Sequence, residues 1–339
     1  MDQSRDQAPQ ARSNCGTTMA APRITPSVTI VQQGAVALIT LAPGTPLGPA
    51  DLDGLGEHLL RLGRSPDVYA VVLHLSGGPL TTTASVAQQL SLAWRVDCTP
   101  KPVAALLDGP VAGMAPGLTT FATHRVAAEA YCLQLPPLCD PVYPPAGGVA
   151  ALLPRIARGR GREWALSARP VGRGEAYAAG LLTHCVPRAA FAGIIAALAD
   201  GQPIDPLLDG LHRDPGDDAG VPPGDVIGPC FASRAPRDIL AELAQVGPPF
   251  EPWASAAATV VASQPVLAVA GLHRLLDFAH GAGRRDCLIA TCRLASNLKA
   301  RGSNWPDKFP IRVIEALFDV SEEGDPPQLL APAEANGRI

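Results

Sequence analysis

Residues Lys101 to Val186 read KPVAALLDGPVAGMAPGLTTFATHRVAAEAYCLQLPPLCDPVYPPAGGVAALLPRIARGRGREWALSARPVGRGEAYAAGLLTHCV, a stretch that alternates short apolar runs with turns of small residues. The predicted elements are a strand at Val103 to Leu107, a Gly109-Pro110 turn, a helix from Val111 to Ala122, a strand-like run from Arg125 to Leu135, a proline-dense loop to Pro145 and a helix from about Gly148. This order of elements is typical of α/β layer structures. A small-residue turn that opens a helix also exposes backbone N–H groups, which can hold an anionic oxygen.

The sequence before this stretch continues the same rhythm. It predicts a hairpin whose two strands are Val28 to Val31 and Ala35 to Leu41. An amphipathic helix from Asp51 to Leu62, a buried strand from Val68 to Leu75 and a helix to about Val96 are predicted to follow. The leucines of the first helix recur at helical spacing, and Ser65-Pro66 ends it.

The composition is that of a folded globular chain. Of its 339 residues, 47% are hydrophobic, which is enough for a sizeable core. Apolar runs end well short of the ~18 residues that a membrane span needs, so no span is expected. The net charge of −4 gives no general reason to expect nucleic-acid binding. The eight cysteines form no C-x-x-C pair, so we interpret them as reduced thiols and expect no metal site.

Seven short motifs occur in order along this stretch, and their spacing is kept without a gap through the proline-dense loop. They are Lys101-Pro102, Asp108-Gly109, Gly113-Met114-Ala115, Leu135-Pro136-Pro137, Pro144-Pro145-Ala146-Gly147-Gly148, Leu153-Pro154-Arg155-Ile156 and Gly180-Leu181-Leu182-Thr183-His184. Their order resembles the crotonase superfamily, and within it the 3-hydroxyisobutyryl-CoA hydrolase branch. That branch has a KP-apolar-DG strand, a Met-Gly-Gly-Gly turn, a Met-Pro-Glu … Pro-Asp-x-Gly-Gly loop, LPRL and G-x-ATH. The resemblance implies a crotonase-type α/β fold of strand-strand-helix turns with a mostly helical C-terminal part.

The resemblance extends beyond this stretch, from Val28 to Asp319. After the Pro/Gly/Asp-rich segment 201–225, the residues Ile227-Gly228-Pro229-Cys230-Phe231, Trp253 and Ser263-Gln264-Pro265 match the helical tail of the hydrolase branch. The predicted organisation is a disordered or docking extension at 1–24, a crotonase-like core at 25–200, a linker at 201–225 and a helical region at 226–339.

The positions that carry the family's chemistry differ in this chain. The resemblance places the family's glutamate at Pro137 and its aspartate at Pro145, and proline has no ionisable group. The middle glycine of the oxyanion turn becomes Met114, and Gly78 is the nearest match to the second oxyanion-hole donor. The element that helps to hold the CoA nucleotide reads Leu41-Ala42-Pro43-Gly44 and lacks a basic residue.

Other candidates for chemistry are few. Asp140 lies between the two altered positions and is the fallback acid, although an Asp beside Pro is usually a turn residue. His124 and His184 have no partner visible in the sequence, and we interpret them as core or surface residues. The basic cluster Arg155, Arg158, Arg160 and Arg162 is either a solvated face or a contact with an acidic protein or with RNA phosphates.

The first hypothesis from the sequence is therefore a catalytically inactive hydrolase-like protein without a cofactor. The resemblance suggests a structural subunit of a large mitochondrial assembly, foremost the small subunit of the mitochondrial ribosome, with protein and ribosomal RNA partners. The alternative is an active acyl-CoA thioester hydrolase or enoyl-CoA hydratase/isomerase that uses Asp140 or Asp108, and a CoA-binding module without catalysis is a third reading. For the mitochondrial location, Arg5, Arg12 and Arg23 suggest a presequence, whereas Asp2 and Asp6 argue against one.

Overall fold

The structure is a computed structural model that describes residues 23–25, 28–138, 146–233, 235–301, 311–321 and 324–326. The predicted extension at 1–24 falls mostly outside these described residues. In chain order the strands are β1 Arg23–Thr25, β2 Val28–Gln33, β3 Val36–Leu41, β4 Ala70–Leu75, β5 Gly78–Leu80, β6 Val103–Leu107, β7 Pro110–Gly113, β8 His124–Ala127, β9 Cys132–Leu133, β10 Val171–Gly172 and β11 His184–Cys185.

Helices alternate with these strands and then dominate the C-terminal third. They are α1 Pro49–Arg64, α2 Val86–Asp97, α3 Ala115–Thr120, α4 Arg160–Ser167, α5 Arg173–Ala178, α6 Phe191–Ala199, α7 Ile204–Leu211, α8 Gly224–Cys230, α9 Pro236–Leu243, α10 Glu251–Ser263, α11 Val266–Gly281, α12 Arg284–Arg301 and α13 Ile311–Glu315. Short 3₁₀ segments lie at Ala146–Ala151, Leu153–Arg155, Ala157–Gly159, Arg188–Ala190 and Ala316–Phe318.

Two sheets organise the mixed α/β part. The seven-stranded sheet has the order β1-β2-β3-β4-β6-β8-β11, and it is parallel from β3 onward. The four-stranded sheet has the order β10-β9-β7-β5, with β5, β7 and β9 parallel. In the first sheet, β4 and β6 are each followed directly by a strand of the second sheet, β5 and β7. The second sheet therefore lies at the carboxyl ends of the strands of the first.

Burial explains why the central strands read as continuous apolar runs. All five residues of β6 are buried, as are the first four of β4. The larger core packs one face of the sheet against α1 and α2, and a smaller core packs the other face against α6 and α7. Parallel strands covered on both faces have no polar side to alternate with.

Side-chain hydrogen bonds mark where α1 and α2 begin. At α2, the Gln88 N–H donates to Ser85 Oγ at 3.3 Å, and the Ser85 N–H donates to Gln88 Oε1 at 3.2 Å. This reciprocal capping box satisfies two N–H groups that the helix itself leaves unpaired. At α1, the Gly48 N–H donates to Asp51 Oδ2 at 2.7 Å.

Several elements differ from the sequence prediction. The helix predicted from Val111 begins only at Ala115, because β7 first pairs with β5. The run from Arg125 to Leu135 is two strands, β8 and β9, in different sheets. The helix predicted from Gly148 is a 3₁₀ segment, in which Gly147 and Gly148 have φ of 60° and 102°. The predicted linker contains α7, because Ile204 and Leu208 are buried against the smaller core.

No single helix among the described residues has the length and hydropathy of a membrane span. The pair α10 and α11 meets those criteria only when the two are joined across a bend of 109°.

Candidate functional site

The turn from β7 into α3 is the place where the resemblance locates the oxyanion hole. The Met114 N–H donates to the main-chain oxygen of Leu80 on β5 at 3.0 Å. Gly113 has φ of 67°, and a Cβ there would lie 2.4 Å from the same Leu80 oxygen. Glycine at 113 is therefore what lets the two strands approach closely enough for this bond.

Gly78 lies further back along the same pair of strands. It is paired with Val111, whereas Leu80 is paired with Gly113. The three steps along the chain from Val111 to Met114 span about 10 Å at the usual strand rise of ~3.3 Å. Two donors that share one oxyanion lie within about 6 Å of each other, since each must be about 3 Å from it. The N–H groups of Gly78 and Met114 are too far apart to bind one oxygen together.

The Met114 side chain belongs to the interior. It is 2% exposed and lies in the larger core. Its backbone is already helical, with φ of −82° and ψ of −12°, so that it leads straight into α3. The Met114 side chain, at a position where the resemblance places a glycine, therefore packs in the larger core.

The other wall of this region is a backbone-to-backbone contact. A Cβ on Gly117 of α3 would lie 2.0 Å from the Gly147 oxygen, and a Cβ on Gly148 would lie 2.5 Å from a methyl group of Leu288. The main-chain contact at Gly117 excludes a side chain there, whereas Gly148 requires glycine chiefly because of its φ of 102°. The segment Ala146–Ala151 is consequently packed directly on α3, and its glycines are required chiefly by their positive φ.

Of the two prolines that the resemblance places at the family's carboxylate positions, the structure describes only Pro137. Pro137 is half-buried between Leu135 and Leu138, each of which is 4% exposed. Pro145 and the fallback acid Asp140 lie outside the described residues. The described part of this loop thus presents apolar atoms where the family has a carboxylate.

Asp108, the other candidate acid, is committed to an ion pair. Its carboxylate pairs with the Arg188 guanidinium. The Arg188 side chain also lies over the ring of Phe191, with 5.3 Å between Cζ and the ring centroid. The backbone N–H of Arg188 donates to Glu129 Oε2 at 3.0 Å. The backbone hydrogen bonds at Glu129 lower the pKa of that carboxyl. These groups fasten the turn before α6 to the end of β6.

The histidines form surface pairs with the exposed face of α7. His124 Nε2 lies 2.9 Å from Asp205 Oδ1, and His184 Nε2 lies 3.1 Å from Asp209 Oδ1. The two rings stack with centroids 6.3 Å apart. Each Nδ1 lies 3.0 Å from the hydroxyl of the threonine before it. The pairs anchor α7, which agrees with the structural role predicted for both histidines.

Cys185 lies next to this group but is not an activated nucleophile. Its backbone N–H donates to His212 Nδ1 at 3.1 Å, while the thiol is buried. Burial raises the pKa of the Cys185 thiol to about 11. A thiol of that pKa stays protonated near neutral pH and does not support Cys/His chemistry.

The predicted basic cluster does not form one face. Arg160 donates to Glu175 Oε1 at 2.8 Å and to the Pro222 oxygen at 3.3 Å, and Arg162 forms an ion pair with Asp277. Arg155 is exposed, and the side chain of Arg158 is not described. The guanidinium groups of Arg160 and Arg162 are therefore engaged in contacts within the chain.

The densest charged group is one that the sequence reading missed. We call it the buried ionic cluster, and it consists of Arg160, Glu163, Arg169 and Glu175. Arg169 binds both carboxylates in a fork: Nε and Nη2 lie 2.6 and 2.8 Å from the Glu163 oxygens, and Nη1 and Nη2 lie 2.8 and 2.7 Å from the Glu175 oxygens. Glu163 is 0% exposed and Glu175 is 5% exposed.

Uncharged donors complete the cluster. Trp164 Nε1 donates to Glu175 Oε1 at 3.0 Å, and Ser167 Oγ and Trp253 Nε1 donate to Glu163 Oε1 at 2.8 and 3.4 Å. Burial raises the pKa of Glu163, against the opposing effect of Arg169. Burial alone would also raise the pKa of Glu175, but its hydrogen bonds from Arg169, Trp164 and Arg160 hold it below the ordinary value. The signal in the sequence was a short charged segment, in which four arginines and two glutamates lie between 160 and 175.

This architecture of two sheets meeting at a strand–turn–helix junction, followed by a helical tail, is a crotonase-type fold. The chain belongs to the enoyl-CoA hydratase/isomerase family, whose model matches residues 66–309. The predicted fold class and superfamily are confirmed.

Relatives of known sequence are distant. The chain is 34% identical over 103 residues to the putative enoyl-CoA hydratase/isomerase YngF of Bacillus subtilis, a match that covers 29% of this chain and 40% of that protein. It is 24% identical over 258 residues to the mitochondrial 3-hydroxyisobutyryl-CoA hydrolase of Rattus norvegicus, with 67% of each chain covered.

Solved structures support the fold. An enoyl-CoA hydratase from Rhodobacter sphaeroides superposes with a TM-score of 0.69 at 22% identity, covering 89% of this chain and 98% of that one. A carnitinyl-CoA dehydratase from Mycobacterium thermoresistibile superposes with a TM-score of 0.73 at 21% identity, covering 91% and 97%.

Proposed function

We propose that this chain is a non-catalytic member of the enoyl-CoA hydratase/isomerase family that serves as a structural subunit of a larger assembly. The observation that carries the proposal is the hydrogen bond from the Met114 N–H to Leu80. An N–H that is already bound to a main-chain oxygen is not available to stabilise a thioester oxyanion. Pro137, in the position of the family's glutamate, removes an acid/base group from the same region.

The size of these losses makes the proposal quantitative. Removal of one general acid or base costs roughly 10²- to 10⁴-fold in rate. Removal of one oxyanion-hole donor costs roughly 10²- to 10³-fold. Because the two act on the same step, a chain that lacks both is expected to show thioester turnover close to the uncatalysed background.

The first assembly to test is the small subunit of the mitochondrial ribosome, with protein and ribosomal RNA partners. Two facts support this choice: the resemblance to the hydrolase branch along most of the chain, and the description of the rat relative as mitochondrial. Tagged protein purified from its native cells and sedimented through a gradient is expected to migrate with ribosomal RNA and small-subunit proteins. Migration as a free particle would contradict the structural-subunit proposal.

Catalysis is tested separately with the purified chain. We expect no hydrolysis of 3-hydroxyisobutyryl-CoA and no hydration of crotonyl-CoA above background. The variant Pro137→Glu is also expected to be inactive, because the Met114 N–H remains bound to Leu80. Hydrolysis by the wild-type chain that is lost in Asp140→Asn would instead establish the alternative, an active acyl-CoA hydrolase.

A further inference from the structure

A cavity of about 390 Å³ lies at the C-terminal end of α3, and the family's chemistry does not account for it. We call it the basic cleft and define it by four charged residues in its lining: Asp97, Arg125, Arg155 and Arg284. These come from the end of α2, the start of β8, the 3₁₀ turn Leu153–Arg155 and the start of α12. Its wall also includes Thr120 and Thr123.

Arg125 is the innermost cation of the basic cleft. It donates to three main-chain oxygens: Nη1 to Ala122 at 2.7 Å, Nε to Leu181 at 2.6 Å and Nη2 to Gly180 at 3.5 Å. No carboxylate of the described residues forms an ion pair with it. A guanidinium has five N–H donors, so two of them remain for another acceptor. Burial lowers the pKa of Arg125, and the nearby Arg284 lowers it further.

The other two cations stand nearer to solvent. Arg284 Nη1 lies 2.6 Å from Asp97 Oδ1, and the Arg284 side chain is 43% exposed whereas that of Asp97 is 4% exposed. Arg155 is exposed and makes no side-chain hydrogen bond or ion pair within the described ranges. Three guanidinium groups and one carboxylate leave the basic cleft with a formal charge of +2.

The basic cleft is separate from the region where the family binds its thioester. Met114 and Thr120 mark opposite ends of α3, a helix about 9 Å long at 1.5 Å per residue. The segment that corresponds to the family's CoA-nucleotide element lies elsewhere, since Pro43 is next to Gly78 at the far strand. The basic cleft therefore replaces neither of these sites.

We propose that the basic cleft binds a phosphate group, carried by a phosphomonoester or a diphosphate. Guanidinium forks match the oxygens of phosphate in bidentate geometry. A phosphate monoester carries a charge of about −1.5 to −2 at neutral pH, which balances +2, whereas a single carboxylate would leave the cleft cationic. The volume lies within the range of about 300–1,000 Å³ that is usual for small-ligand sites.

Calorimetric titration with pyrophosphate tests this proposal on the full chain. The wild type is expected to bind, with an affinity that falls as salt is added. Arg155→Ala is the variant of choice because its side chain holds nothing else in place, and we expect binding about five- to tenfold weaker. Arg155→Glu should weaken binding more, since it reverses the charge. Arg237→Ala, on the exposed face of α9, is the matched control and should bind like the wild type.

Two results would overturn the proposal: no heat of pyrophosphate binding to the wild-type chain, or the same affinity in Arg155→Ala as in the wild type. Competition then distinguishes the sources of the phosphate. Displacement of pyrophosphate by a short RNA at comparable phosphate concentration identifies the nucleic-acid backbone, and displacement by AMP alone identifies a small phosphomonoester. Either outcome supports the site. The result is independent of thioester activity, so it stands whether or not the chain is catalytic.

Discussion

Two regions of this molecule use ionisable groups in opposite ways. The buried ionic cluster brings two glutamates and two arginines into the interior and satisfies them with Trp and Ser donors. The turn from β7 into α3, which is the family's catalytic region, shows apolar side chains and main-chain contacts at Met114, Gly117 and Pro137. Fully buried charges thus occur where helices must be joined, and the described part of the family's catalytic region contains none.

The contrast separates two reasons for having a buried carboxylate. A carboxylate that serves catalysis must keep some hydrogen-bonding capacity for a reacting group. The carboxylates of Glu163 and Glu175 instead each accept four hydrogen bonds, from donors on α4, on α10 and at Arg169. Removal of one partner from such a cluster leaves a desolvated charge unpaired, so the loss of a single member is expected to be strongly destabilising.

The largest expected effect comes from removing the shared cation of the buried ionic cluster. Arg169→Ala leaves two carboxylates buried close together without their fork, and we expect a loss of about 3–5 kcal/mol in the free energy of unfolding. Denaturant titration followed by circular dichroism measures it. The triple variant Glu163→Gln, Arg169→Met, Glu175→Gln removes all three charges and should be more stable than Arg169→Ala. A loss below about 1 kcal/mol in Arg169→Ala would show that the cluster is not the constraint described.

The next effect tests the apolar side of the comparison. Gly117→Ala places a Cβ against the Gly147 oxygen, and we expect a loss of about 1–3 kcal/mol because the main chain must shift. Gly193→Ala on α6 is the matched control. A Cβ at Gly193 meets nothing within 4 Å, so alanine should stabilise that helix by about 0.5–1 kcal/mol. Equal effects at the two positions would contradict the close approach.

His74 gives a smaller effect that depends on pH. It is the last residue but one of β4, and its buried Nε2 has no hydrogen-bond partner within the described ranges. Burial lowers the pKa of His74, Arg188 lowers it further and Asp108 opposes this. The unfolded chain therefore takes up the proton first, so the free energy of unfolding falls as pH drops below about 6.5. His74→Leu should flatten this slope between pH 7 and 5, and an unchanged slope would exclude His74 as its source.

The smallest effect concerns ion pairs at the surface. The carboxylates of Asp205 and Asp209 are 77% and 73% exposed, although their histidine partners are nearly covered. Exposed pairs contribute at most about 1 kcal/mol, so Asp205→Asn and Asp209→Asn should each change stability by less than that. Thermal unfolding of both variants at pH 6 checks this. A loss as large as that of Arg169→Ala would remove the distinction between buried and surface charges.

Local patterns predicted much of the fold. Helical spacing of leucines located α1, short apolar runs located β4 and β6, and the motifs located the crotonase-type order of elements. Contacts between distant segments were invisible to these patterns. The helix at Ile204 to Leu211 lies in a Pro- and Asp-rich segment and forms because two of its side chains reach the smaller core. Similarly, Glu163 and Glu175 are polar by type, and only their meeting with Arg169 in space makes them interior residues.

The hydrogen bond from Met114 to Leu80 also bears on descent. Where a substitution merely deletes a catalytic side chain, a single reversal can restore it. Here the main-chain hydrogen bond from Met114 to Leu80 holds the turn in its present shape. Under the proposed function, recovery of the family's reaction would require the turn and the strand that accepts this hydrogen bond to change together.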